Sequence, residues 1–102
     1  MHWNITQEEQ ELRVTLRGHL DFDASQSIGR LVTQLQQRPS SNICMDFQHV
    51  KDLDSSGLGL LLRLRNGLKD KQAAIRITGC HEIHKKTLST ANFNRLFRID
   101  EL

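Results

Sequence analysis

Apolar and polar residues alternate around Trp3 and Ile5, and again at Leu12, Val14 and Leu16. That period of two marks half-buried β-strands. The polar stretch 7–10 between them reads as a hairpin turn, and Gly18 is expected to end the second strand. Over 23–37 the period lengthens. Ala24, Ile28, Leu31, Val32 and Leu35 fall on one narrow helical stripe. Asp23 followed by Gln26 has capping-box spacing, and Pro39 with Ser40 and Ser41 closes the helix. Residues 42–47 predict a strand with Ile43, Met45 and Phe47 on one face; Cys44 opposite them suggests some burial there too. A loop over 48–54 leads to a second helix over 56–70. Ala74–Thr78 is a further strand ended by Gly79, a third helix follows over 81–91, and 96–99 forms a last short strand or an extended tail.

The order β-β-α-β-α-β-α, with or without a final β, predicts an α/β fold: a mixed sheet of four to five strands with helices packed against it. No repeat, linker or low-complexity tract interrupts it, so one domain over 1–102 is expected. Charged residues make up 25% of the chain with a net charge of only +2 and both signs interspersed. That argues against a direct nucleic-acid binder, which carries a one-sided basic excess. The leucines at 58–64 are too few to span a bilayer, and the first ten residues lack the layout of a signal peptide. A cytoplasmic protein is expected. Cys44 and Cys80 read as small buried hydrophobes without a disulfide.

The chemistry concentrates in 50–64, VKDLDSSGLGLLLRL. Its serines lack the G-x-S-x-G of a nucleophile elbow, its glycines lack the spacing of a phosphate loop, and Lys85 breaks the H-E-x-x-H pattern in CHEIH. No enzyme, cofactor or metal site is expected. Asp54, Ser55 or Ser56 can cap the second helix, and Gly57 and Gly59 allow close backbone packing. Two adjacent hydroxyls are one more than a cap needs, which leaves Ser55 facing solvent. A helix N-terminus tolerates an added anion through its free N–H groups and dipole. The leucines of this helix, with Leu58, Leu60 and Leu62 flanking Leu61, Leu64 and Leu68, cover about 200° of its circumference, wider than one buried stripe. Leu60 and Leu62 lie at opposite edges of that arc, so one of them is expected beside the serines as part of a docking surface.

DSSGLGLLL after an apolar strand and an acidic loop resembles the signature of STAS domains, specifically bacterial anti-sigma factor antagonists. GHLD at 18–21 is similar to that family's G-x-L-D, and TANFNRLFRI at 90–99 resembles its C-terminal segment. The resemblance implies a mixed sheet with helices mainly on one face and a role in partner switching. The unphosphorylated antagonist would bind an anti-sigma factor with serine kinase activity. That kinase would phosphorylate it, and a serine/threonine phosphatase of the metal-dependent class would reset it. Carried over residue by residue, the resemblance makes Ser55 the acceptor and Ser56 a helix cap, and sets Asp21 near the acceptor. Asp21, Asp54, Ser55, Ser56, Gly57, Leu58, Leu60 and Leu62 are then the expected partner-binding set. The alternative within the same family is an unphosphorylated adaptor on a transporter or other complex.

Overall fold

Glu9, in the left-handed conformation (φ 52°), turns the chain between β1 (His2–Glu8) and β2 (Glu11–Leu20), the hairpin that the alternation predicts. In the computed structural model, which describes residues 1–100, three further strands follow: β3 (Asn42–Leu53), β4 (Ala74–Thr78) and β5 (Arg98–Ile99). They join one five-stranded sheet in the order β1-β2-β3-β4-β5. Only β1–β2 is antiparallel. Each parallel step needs a crossover, supplied in turn by α1 (Ser25–Gln36), α2 (Ser55–Gly67) and α3 (Glu82–Thr90).

One face of the sheet is apolar. Leu12, Val14 and Leu16 of β2 and Ile43, Met45 and Phe47 of β3 pack with Ile28, Leu31 and Leu35 of α1 and with Leu61 and Leu64 of α2. Leu88 of α3 joins the same core. Burying each such aliphatic side chain contributes about 1.5–3 kcal/mol. The opposite side of β3 is also shielded, by charge pairs. Asp46 accepts from Arg13 at 2.9 Å, and Arg76 makes a two-pronged pair with Glu11, 2.9 Å at each prong, while also meeting Asp100. Cys44 lies fully buried on β3 and Cys80 is buried beyond Gly79; both thiols are free, and burial pushes that of Cys80 up to about 11.

The hydrogen bond from Arg76 holds the Glu11 carboxyl below its ordinary value of 4.5. A lowered carboxylate contributes stability that is complete above its unfolded value and is lost as pH falls through the folded one. Arg76→Gln is therefore expected to cost about 1 kcal/mol at neutral pH, discounted for the pair's partial exposure, and to converge with the parent chain in strong acid. Urea melts across the acid limb check this.

Two boundaries depart from expectation. Gly18 (φ 107°) does not end β2, and 48–53 is strand rather than loop. Register shifts between Thr15 and Arg17 and between Gly18 and His19 let the β2–β3 pairing continue to Leu20–Leu53. Each shift adds a residue on β3, so Phe47, Val50 and Leu53 turn inward three apart instead of two. The expected capping box at Asp23 is also displaced. Asp21 caps a 3-10 turn, Phe22–Ala24, by accepting the Asp23 N–H at 3.0 Å, and α1 proper starts after it.

Candidate functional site

β3 and α2 meet at Asp54, whose extended backbone lets its carboxylate accept the Gly57 N–H at 2.9 Å. This is an N-cap bond to the third helical residue. Asp54, not Ser56, therefore caps α2, because its carboxylate already stands three residues ahead of that N–H. The helix also begins one residue earlier than the pattern suggested, at Ser55. Ser55 and Ser56 are both exposed, and neither hydroxyl has a hydrogen-bond partner among the described residues. Their backbone N–H groups belong to the first turn, which the helix itself cannot satisfy.

Gly57 fixes where this turn lies. A methyl group there would sit 2.0 Å from the Leu20 carbonyl oxygen and 3.1 Å from Leu53 Cδ1. Only glycine lets the start of α2 rest on the end of β2. Leu20 and Leu53 are paired across β2 and β3, and each is followed by a capping aspartate, so Asp21 and Asp54 emerge from adjacent strand ends. Asp52, close by in β3, is paired with His19.

The leucine arc resolves into two roles. Leu60, Leu61, Leu64 and Leu68 enter the core. Leu58 is half-buried, and Leu62 remains 37% exposed. At about 100° per residue, Ser55, Gly59 and Leu62 fall within about 60° of each other on the side opposite the core. Of the expected partner-binding set, Asp54, Ser55, Ser56 and Leu62 are exposed, and Asp21 and Leu58 are partly so. Gly57 and Leu60 are buried and serve packing.

Two apolar residues that the sequence patterns did not single out frame the same region. Phe22, 76% exposed, follows Asp21 in the 3-10 turn that packs against α2. Ile83, 70% exposed, stands on α3 across a groove of about 460 Å³ lined also by Ser55, Leu58, Lys86, Thr87 and Thr90. Their signal in the sequence was their position off the buried helical stripes: Ile83 precedes His84, which with Leu88 carries the inward face of α3. Lys86 places a cation in the groove with Ser55.

No group of three or more metal-ligating side chains is assembled among the described residues, and no helix there is long and apolar enough to cross a membrane.

A mixed sheet with its helix-bearing crossovers and a DSSG turn seated between two strand ends defines a STAS domain. The family model of that description matches residues 2–101, and the chain belongs to that family. A STAS-domain containing protein of Pseudomonas aeruginosa (strain UCBPP-PA14) is 33% identical over 90 residues, covering 88% of each chain. The fold is similar to that of the Bacillus anti-sigma factor antagonist SpoIIAA in its unphosphorylated form (TM-score 0.70, 18% identity, 99% of this chain and 89% of that one), a protein also solved phosphorylated. It is similar as well to a sulfate transporter family protein of Wolinella succinogenes (TM-score 0.76, 11% identity, 92% and 79%).

Proposed function

We propose that this chain is a cytoplasmic anti-sigma factor antagonist that docks through the exposed side of α2 and is released by phosphorylation of Ser55. The fold alone does not choose this role, since transporters carry it too. What supports it is the surface around Ser55. A free hydroxyl at the first helical position shares a groove with Leu58 and Ile83, and Leu62 stands exposed on the same side of α2, large apolar groups that a protein partner would cover. The partner is an anti-sigma factor with serine kinase activity, and a metal-dependent serine/threonine phosphatase restores the hydroxyl. The chain itself performs no catalysis in this scheme and uses no cofactor.

Gly59 belongs to the same surface. A methyl group there would meet nothing within 4 Å, so the fold does not require glycine at this position. Gly59→Ala is expected to stabilise the free protein by about 0.5–1 kcal/mol through helix propensity. It should nonetheless weaken partner binding, because the added methyl stands in the docking face. Paired melting and binding curves test both signs.

Ser55→Ala carries the direct test of the proposal. The variant should melt like the parent, bind the anti-sigma kinase and accept no phosphate on incubation with that kinase and ATP. Loss of binding together with an intact fold would contradict docking through this face. Recovery of a membrane transporter, with no kinase, as the bound partner would leave the adaptor role.

A further inference from the structure

Four of the five histidines in the chain, His2, His49, His81 and His84, line one cleft. His2 of β1, Arg17 of β2 and His49 of β3 occupy one cross-strand row, His2 paired with Arg17 and Arg17 with His49. The row forms one wall of a cleft of about 700 Å³, which Lys51, His81 and His84 also line. No carboxylate lines the cleft among the described residues, and no ion pair to Arg17 or Lys51 is present there. Arg17 and Lys51, cationic and without an acidic partner in the cleft, suit it to an anion.

Two independent features point the same way. α3 starts at this cleft without a side-chain cap: His81 occupies the cap position, but its imidazole Nε2 is engaged with the Gln48 carbonyl oxygen at 2.9 Å. The Glu82 and Ile83 N–H groups of the first turn are left for a ligand. His84, only 5% exposed in the wall of the cleft, packs edge-on against His81 at 5.9 Å and has no hydrogen-bond partner at Nδ1. A buried polar atom without a partner is costly to keep, and a polar ligand in the cleft that His84 lines can supply one.

We propose that this cleft binds a phosphate-bearing anion. A tetrahedral dianion can accept at once from Arg17 and Lys51, from the first turn of α3 and from a histidine of the lining. Ile83 adds apolar wall beside these donors, and the cleft volume has room for the organic part of a phosphate monoester as well as for free phosphate.

The full-length ¹⁵N-labelled protein, titrated with inorganic phosphate and in parallel with phenyl phosphate at fixed ionic strength, tests the assignment. Saturable shifts are expected at the amides of Lys51, Glu82 and Ile83. Arg17→Gln and Lys51→Gln should each weaken binding about tenfold, the loss expected for one charge-assisted contact, whereas Ser55→Ala should leave it unchanged. His84→Leu should melt no lower than the parent and still lose affinity, which a purely structural histidine would not do. Tighter binding of phenyl phosphate supports an ester as the ligand, and equal binding supports the free ion. Absence of saturable shifts with both probes up to about 10 mM, or affinities that Arg17→Gln and Lys51→Gln leave unaltered, would overturn the proposal.

Discussion

Gly57→Ala is expected to lower the unfolding free energy by about 3 kcal/mol, the upper part of the range for forcing an extra methyl into a packed site. The contact at fault is 2.0 Å to a main-chain oxygen, that of Leu20, which cannot swing aside as a flexible side chain would. Leu20 is held by its pairing with Leu53, and Leu53 itself approaches the added methyl at 3.1 Å. The first turn of α2 would have to lift, straining the Asp54 bond to the Gly57 N–H, a cap worth about 1 kcal/mol more. In a domain of this size the midpoint should fall by roughly 12–20 °C. Gly59, two residues on, should respond with the opposite sign. Thermal melts that place Gly57→Ala at the parent temperature would mean that α2 does not rest on the end of β2.

The second large effect concerns binding. A phosphoryl group on Ser55 adds about 1.5 to 2 negative charges at neutral pH. The domain itself can accept them, since the first-turn N–H groups of α2 and Lys86 across the groove lie at hand. A partner packed closely on Leu58, Leu62 and Ile83 cannot, because it would desolvate the new anion or face it with its own carboxylates. A penalty of roughly 1.5–4 kcal/mol follows, depending on local dielectric. At about 1.4 kcal/mol per decade, affinity should fall ten- to a thousandfold with the fold unchanged. Ser55→Asp should reproduce part of the loss, having one charge and fewer oxygens. Equal affinity of Ser55→Asp and parent would count against charge as the releasing agent.

The elements legible in the sequence were those whose packing follows one simple period. The hairpin, the α1 stripe and Ala74–Thr78 appear where the alternation placed them. The end of β3 was hidden because two register shifts break the period of two, so Val50 and Leu53 turn inward while the local pattern resembles a polar loop. At the site, the DSSG motif marked the junction at which α2 begins, though it put the start one residue later than the observed one at Ser55. It left open which of Asp54, Ser55 and Ser56 makes the cap, since all three carry suitable oxygens; the extended backbone at Asp54 decides it. Gly57 and Gly59 look alike in sequence and differ completely in surroundings, one pressed on Leu20 and the other open. Leu60 and Leu62 likewise differ only in which side of α2 meets the sheet. Ile83 and Lys86 come from a segment distant in the chain, and only the packing of α3 beside α2 brings them to the serine, while Phe22 reaches α2 through its 3-10 turn.

The central claim is that one hydroxyl at the entrance of α2 governs docking by acquiring charge. The most direct measurement is to incubate the intact protein with the anti-sigma kinase and ATP, locate the phosphate by peptide mass spectrometry, and titrate the purified phosphoprotein against the same kinase. A single phosphate on Ser55 and binding weakened at least about tenfold are the predicted result. Phosphate on Ser56 with Ser55 bare, or a Ser55 phosphoprotein that binds as tightly as the unmodified chain, would contradict it.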